Sequence, residues 1–170
     1  TNFTVWPYYI HIAIVPPKNH QRLDWFIENS VELGINEISI VKSHRLERKN
    51  IKMDRLDKIS ISAMKQSHKA IHPKINDMVS FDTFINTIHD CQKIICHLDE
   101  KKPAHLATIL KPNQKHCILI GPEGDFTSDE IEKAQDSGFV SASLGSSRLR
   151  TETAALYSCQ TVHIINEVEL

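Results

Sequence analysis

The 170-residue sequence has little glycine, no paired cysteine motif and no long apolar run. Its four cysteines show no CxxC pair and no metal-ligand spacing, which excludes a zinc ribbon or a disulfide framework and favours reduced, buried thiols. Residues 10–15 form one of the longest uncharged apolar runs, far too short to span a bilayer. The chain also does not open with a basic-then-apolar leader. We therefore expect no membrane association, no metal and a cytoplasmic location.

The remaining composition is that of a soluble globular protein, with 41% hydrophobic and 24% charged residues. The length corresponds to one ordinary domain. A net charge of −1 hides an asymmetry, because residues 42–74 carry ten Lys and Arg against three acids while the rest of the chain is acidic. Such a basic block suggests a surface for a polyanion, although a solvated helix face explains it equally well.

Apolar segments alternate with amphipathic segments along the chain. The patterns predict strands at residues 8–15, 37–41, 93–98, 116–120 and 139–144. They predict helices at residues 22–33, 54–68, 104–110, 128–137 and 151–166. Alternation of this kind predicts an α/β fold with a mostly parallel sheet covered by helices on both faces.

Four of the five glycines fall within twenty-five residues, and two of them directly follow predicted strands. These two are Gly121, which opens a Gly-Pro-Glu-Gly loop, and Gly145, which follows Leu144. Ligands of open parallel sheets bind at the carboxyl ends of strands, where glycine lets backbone groups approach them. We expect the two loops to frame one pocket, although each alone is also explained as a tight turn. The acidic Glu123 and Asp125 disfavour a phosphate and favour a cationic or neutral adenosine-like ligand.

Two arginines, Arg148 and Arg150, lie just before the last predicted helix. Fixed positive charge at a helix N-terminus opposes the helix dipole, so this placement calls for a negative partner. The partner is either an anionic ligand or developing charge, or an internal carboxylate such as Glu152 or Glu123.

The C-terminal half contains an ordered series of short motifs: IGPEGDFT at 120–127, EI at 130–131, GF at 138–139, LG at 144–145 and LRTETA at 149–154. Upstream lie LGI at 33–35, Ser43 with Arg45, and AMKQS at 63–67. Together these segments resemble the signature of the RsmE family, the ribosomal RNA small-subunit methyltransferases of the SPOUT superfamily. The resemblance covers about residues 8–166.

The resemblance implies a SPOUT-type parallel sheet with a trefoil knot in the C-terminal half. It also implies S-adenosyl-L-methionine (SAM) as cofactor and a homodimer with the pocket at its interface. Members of the family methylate N3 of one uridine of 16S ribosomal RNA within the small ribosomal subunit. They carry an N-terminal RNA-binding domain of the PUA type, so we expect residues 1–8 to be a connector remnant and residues 9–170 to be the methyltransferase domain.

Carried over position by position, the resemblance implies roles for individual residues. The cofactor pocket would be lined by His97, Leu98, Leu119, Ile120, Gly121, Pro122, Glu123, Gly124, Leu144, Gly145 and Leu149. RNA would be contacted by Arg45, Gln66, Ser67 and Lys69. Catalysis would involve Arg150, Glu152 and Arg148. Three positions depart from the family pattern: Asp125 stands for a glycine, and Ser147 and Lys69 stand for arginines.

Methyl transfer from a sulfonium requires in-line alignment of the nucleophile and removal of the N3 proton. An arginine near O2 or O4 of the uridine, Arg150 or Arg148, would stabilise the anion as it forms. No residue is a compelling base, since Glu152 could equally pair with an arginine. Two other classes remain open: another SPOUT methyltransferase acting on transfer RNA, and a non-catalytic RNA-binding or assembly module.

Overall fold

The structure is a computed structural model that describes residues 6–44, 50–99 and 101–168. Its strands are β1 (Tyr9–Ile14), β2 (Glu37–Lys42), β3 (Lys74–Ser80), β4 (Gln92–Cys96), β5 (Lys115–Ile120) and β6 (Val140–Ala142). Its helices are α1 (His20–Leu33), α2 (Met53–Gln66), α3 (Phe81–Thr87), α4 (Leu106–Ile109), α5 (Ser128–Asp136) and α6 (Thr151–Glu167). All ten elements that the patterns predict are present, which confirms the α/β alternation.

The strands form one six-stranded sheet in the order β3-β2-β1-β5-β4-β6. Every strand pair within the described residues is parallel. The two central strands β1 and β5 are buried on both faces, and this explains their nearly continuous apolar sequences. The prediction of a mostly parallel sheet flanked by helices is therefore confirmed.

Alternate residues of the central strands enter two separate cores, one on each face of the sheet. Ile10, Ile12 and Ile14 of β1 point into a core shared with α1 and α6. Ala13 of β1 and Leu119 of β5 point to the other face, where the core includes side chains of α3 and α5. The helices thus cover both faces and leave the strand ends open.

The boundaries of α1 follow from local chemistry. The side chain of Asn19 accepts a hydrogen bond from the backbone of Gln21 and caps the helix start two residues earlier than predicted. Gly34 ends the helix at a φ of +101°, where its backbone N–H donates to the carbonyls of Ser30 and Val31. The ring of Trp6 occupies the space that a Cβ at Gly34 would need.

The sequence patterns miss β3 and α3. β3 is an edge strand whose residues are half-buried or exposed, and it includes the polar Asn76 and Asp77, so it shows no apolar run. α3 is a single two-turn helix that Ser80 caps by accepting from the Thr83 backbone. Its buried positions, Phe81, Phe84 and Ile85, do have helical spacing.

Three predicted strands are longer than the observed ones. β1 spans Tyr9–Ile14 rather than residues 8–15, and the other two corrections concern the carboxyl ends of β4 and β6. β6 ends at Ala142 rather than at residue 144, because Ser143 donates to the Ala104 carbonyl and accepts from the Leu106 backbone. β4 ends at Cys96 rather than at residue 98. The residues beyond each strand leave the sheet and form loops. Of the described helices, none combines the length and apolar character that crossing a bilayer requires.

Candidate active site

A cavity of about 650 Å³ lies at the carboxyl ends of β4, β5 and β6. Its wall consists of the last residue of β4 and the loop after it (96–99 and 102–103), the last residue of β5 and the loop after it (120–123 and 125), residues 143–149 after β6, and residues 151 and 154 of α6. The Gly121 and Gly145 loops therefore line the same cavity, as expected from the sequence. This position is the usual ligand site of an open parallel sheet.

Each of the two glycines has a separate structural reason. Gly145 has a φ of +106°, a backbone conformation strained for residues with a Cβ, and a Cβ placed there would meet nothing within 4 Å. At Gly121, a Cβ would come within 2.9 Å of the Phe126 ring. The first loop is therefore packed tightly against Phe126, whereas the second presents bare backbone to open space.

Asp125 joins two of the loops that form the cavity. Its Oδ2 accepts a hydrogen bond of 3.0 Å from the Leu98 backbone, and its Oδ1 accepts one of 2.8 Å from the Phe126 backbone. Asp125 has a φ of +66°, a left-handed conformation that aspartate tolerates better than most residues. A glycine, which the family resemblance leads us to expect here, would adopt this conformation without strain but could not form either bond.

His97 is fixed at the cavity wall by polar contacts. Its Nε2 lies 2.8 Å from Ser141 Oγ, which also accepts a bond of 2.9 Å from Gln135 Nε2.

Cys96 lies beside His97 in the cavity wall, and burial raises the pKa of its thiol to about 12, so this group is a neutral wall residue and not a nucleophile. All four cysteines are free, and Cys91 is only half-buried. The described residues include no group of three or more side chains arranged to hold a metal.

The first turn of α6 is tied to the Gly121 loop. Thr151 Oγ1 donates a hydrogen bond of 3.0 Å to the Gly121 carbonyl. The next residue, Glu152, is buried with 8% of its side chain exposed, and its Oε2 has no hydrogen-bond partner among the described residues.

The arginine that contacts Glu152 is Arg22 of α1. Arg22 Nε lies 3.7 Å from Glu152 Oε1, and Arg22 Nη1 donates a bond of 3.1 Å to Glu123 Oε1. Both carboxylates that the sequence offered as internal partners for Arg148 and Arg150 are thus paired with a third arginine. The alternative from the sequence therefore named the wrong arginine: among the described contacts, these carboxylates pair with Arg22 and not with Arg148 or Arg150.

The cavity collects most of the predicted cofactor residues. Its lining includes His97, Leu98, Ile120, Gly121, Pro122, Glu123, Leu144, Gly145 and Leu149, together with Arg148. Leu119 is not part of the lining, because its side chain is fully buried in the core on the α3 and α5 side. Gly124, Arg150 and Glu152 also lie outside the lining. Arg150 is exposed at the position that precedes α6.

The predicted RNA-binding residues lie apart from the cavity, at the end of α2. Ser67 caps this helix, and its Oγ donates a bond of 2.7 Å to the Ala63 carbonyl. Gln66 is exposed and Lys69 is half-buried. Arg45 lies outside the described residues.

Sequence reasoning missed Arg22 and the role of Thr151. A signal for Arg22 existed, because a cation in the first turn of a helix opposes the helix dipole, the same argument that singled out Arg148 and Arg150. Its two partners, however, lie 101 and 130 residues away along the chain, and no local pattern identifies such contacts.

Comparisons with known proteins identify the family to which the chain belongs. A family model described as an RNA methyltransferase domain matches residues 4–163. Ribosomal RNA small subunit methyltransferase E of Buchnera aphidicola is 34% identical over 157 residues, which are 88% of this chain and 61% of that protein. The chain thus spans about three-fifths of the length of this curated relative.

Two solved structures are similar over nearly the whole chain. A probable rRNA-methyltransferase from Porphyromonas gingivalis has a TM-score of 0.90 and 41% identity, covering 95% of this chain and 69% of that one. Ribosomal RNA small subunit methyltransferase E from Neisseria gonorrhoeae, bound to S-adenosyl methionine, has a TM-score of 0.87 and 27% identity, covering 96% of this chain and 68% of that one. The chain therefore belongs to the RNA methyltransferase family, among relatives named ribosomal RNA small subunit methyltransferase E, as its sequence signature predicted.

Proposed function

We propose that this chain is the catalytic domain of a SAM-dependent methyltransferase that modifies N3 of a uridine in 16S ribosomal RNA of the small subunit. The observation that carries the proposal is the single cavity framed by the loops after β4, β5 and β6. The SAM-bound relative from Neisseria gonorrhoeae, with the same fold, supports the choice of cofactor.

The residues around the cavity fit SAM in size and chemistry. A volume of about 650 Å³ falls in the range of small-molecule pockets. Leu98, Ile120, Leu144 and Leu149 offer apolar surface for the adenine. Glu123 shares Arg22 with Glu152, so one cation faces two carboxylates and the group keeps a net negative charge beside a cationic ligand. The open space beside Gly145 would admit the ligand next to bare backbone. The remaining predicted residues, Leu119 and Gly124, would act by supporting these loops.

The substrate surface is proposed to include the basic side of α2. Lys58 and Lys65 are exposed on this helix and Lys52 is exposed at its N-cap. Gln66, Ser67 and Lys69 lie at or just after its C-terminal end. Exposed lysines attract the phosphates of RNA without reading its sequence. We include Arg45 in the same surface on the strength of the family resemblance alone.

When bound, SAM supplies an electrophilic methyl group, and the chain's own residues prepare the uridine. Negative charge develops on the ring as the N3 proton leaves, and a guanidinium near O2 or O4 would stabilise it. Arg148 lies in the cavity wall, and Arg150 lies between two lining residues, Leu149 and Thr151. Glu152 contacts Arg22, which favours an ion-pair role over that of a base.

We propose that the C-terminal part is knotted, as in the SPOUT fold. Residues 143–150 carry the chain from the edge strand β6 past the ends of β4 and β5. The chain then returns as α6, which packs on α1 and β1. This path, from an edge of the sheet back to its centre, supports a threaded arrangement.

We also propose that the protein is a homodimer. Large apolar side chains remain exposed on α6 (Tyr157 and Ile164), just after it (Val168), on the edge strand β6 (Val140) and in the cavity wall (Leu98). A second copy would remove them from water. Light scattering at micromolar concentration should give twice the chain mass, and a monomer would contradict the proposal.

Two measurements test the proposed activity. Calorimetric titration with SAM should show stoichiometric binding, and no binding would leave a non-catalytic RNA-binding module as the better explanation. Methylation of small subunits lacking the modification, with bulk transfer RNA as the comparison, tests the substrate. Product analysis should identify N3-methyluridine. We expect residues 1–170, tested on their own, to bind SAM but to methylate subunits slowly, and full activity would contradict that expectation.

A further inference from the structure

Arg22 occupies an unusual position for a cation, in the first turn of α1. This turn lies near the carboxyl ends of the strands, and Asn19 satisfies its backbone through a side-chain cap. Arginine is unfavourable at a helix N-terminus unless negative groups are close. The Arg22 side chain is one-third exposed, so it is neither buried nor free in solvent.

Two carboxylates from different segments approach this guanidinium. Glu123 belongs to the Gly121 loop, lines the cavity and accepts from Arg22 Nη1 at 3.1 Å. Glu152 belongs to the first turn of α6 and lies 3.7 Å from Arg22 Nε. A planar guanidinium with several fixed donors can contact both groups at once, whereas a lysine presents one point charge.

Arg22 compensates the buried negative charge of Glu152. The Glu152 side chain is 8% exposed, and its Oε2 has no hydrogen-bond partner among the described residues. A buried carboxylate is costly unless an opposite charge compensates it. Arg22 is the cation that the described ion pairs place beside Glu152. Losing Arg22 would leave a buried charge next to Thr151, the residue that bonds the Gly121 carbonyl.

We propose that Arg22 is a positioning residue for the SAM pocket. It fixes α1 to both the Gly121 loop and the start of α6, and so holds two walls of the cavity at their mutual distance. The identity of the ligand, SAM, rests on the proposed function. The predicted rigidity of the Gly121 loop and of the start of α6 can be measured without any ligand.

The test compares Arg22→Gln with Arg55→Gln. Arg55 makes an ion pair of 2.7 Å with Asp24, also on α1, and does not line the cavity, so its variant breaks a similar pair without touching the pocket. We expect Arg22→Gln to weaken SAM affinity by about tenfold, equivalent to about 1.4 kcal/mol, and Arg55→Gln to leave it unchanged. Equal affinities for Arg22→Gln and the parent would overturn the proposal.

A second measurement needs no ligand. Amide hydrogen exchange of residues 121–127 and 150–154 should become faster in Arg22→Gln and remain unchanged in Arg55→Gln. Unaltered exchange in these segments would refute the positioning role. If the parent fails to bind SAM, the proposed function falls, and exchange still decides on Arg22.

Two further variants separate positioning from general stability. Arg22→Lys should restore part of the affinity, because it keeps one charge contact. Glu152→Gln removes the buried charge, so adding Arg22→Gln to it should cost less than in the parent. If the losses of affinity in the double variant are fully additive, Arg22 does not act through Glu152 and the contact is merely structural. The same conclusion follows if Arg22→Gln lowers the melting temperature while the SAM affinity and the hydrogen exchange of the folded protein stay normal.

Discussion

The backbone of Gly145 meets two demands at once, since its φ is +106° and its missing side chain faces open space. Gly138 has a similar φ of +93°, but a Cβ there would contact the Lys93 side chain, and this residue does not line the cavity. Variants at these two glycines can therefore separate the effect of backbone strain on stability from the effect of an added side chain on ligand binding.

We expect Gly145→Ala and Gly138→Ala each to lower the free energy of unfolding by about 1–2 kcal/mol, because alanine is strained at positive φ. Only Gly145→Ala should also weaken SAM binding, since its methyl group would enter the cavity region. Urea unfolding and calorimetry on both variants measure the two effects. Equal SAM affinity of the two variants would contradict the placement of the cofactor beside Gly145.

The arginines before α6 offer a second prediction at this scale. The backbone of Arg150 is held in place, because its carbonyl accepts a hydrogen bond from the Ala154 N–H. The backbone of Arg148 belongs to the loop between β6 and α6. We expect Arg150→Ala to lower the methylation rate by about 10²-fold with little change in SAM affinity, and Arg148→Ala to lower it less. Single-turnover rates on unmodified subunits would test this, and parental rates for both variants would remove the arginines from the mechanism.

At the scale of elements, sequence patterns predict those parts of the fold in which neighbouring residues share one environment. β1 and β5 are recognisable because both of their faces are buried. β3 is not, because an edge strand with half-buried residues carries no distinctive period. The two glycine loops were predictable because glycine is otherwise rare, whereas the Arg22 contacts depend on side chains that the fold brings together from distant segments.

Asp125 lets the connection between two loops be tested. Asp125→Gly removes both carboxylate bonds while permitting the positive φ, so it should speed hydrogen exchange of the Leu98 amide at least tenfold and weaken SAM binding several-fold. Asn113→Gly is the matched control, because Asn113 also has a positive φ, of 60°, and lies outside the cavity wall. Slow exchange of Leu98 in Asp125→Gly would show that another contact holds this loop.

At the scale of the whole molecule, the two central strands of the sheet each contain a buried histidine, His11 in β1 and His116 in β5. His11 belongs to β1, and its Nε2 lies 2.6 Å from Ser39 Oγ of β2. Burial, with smaller effects of Lys115 and Lys74, lowers its pKa despite the opposing effect of Glu37. His116 of β5 is fully buried, and burial lowers its pKa to about 4.

These histidines predict a loss of stability in mild acid. Their pKa values in the folded chain lie below the unfolded value of about 6.5, so the unfolded state binds more protons between pH 6.5 and 4. Their contribution is complete above pH 6.5 and declines toward pH 4, by as much as about 3 kcal/mol for His116. The free energy of unfolding, measured with urea at pH 7.5 and pH 4.5, should therefore fall by several kcal/mol.

His116 allows this origin to be tested directly. Its Nδ1 donates to Gln92 Oε1 at 3.1 Å, while its Nε2 is buried with no partner among the described residues. Asparagine can keep the first bond through its amide and does not titrate, so His116→Asn should lose less stability than the parent between pH 7.5 and pH 4.5. His89→Asn, at an exposed position, should retain the parental pH dependence. Parallel pH profiles of His116→Asn and the parent would assign the acid sensitivity to other groups, because the variant would then have removed a proton-binding site without consequence.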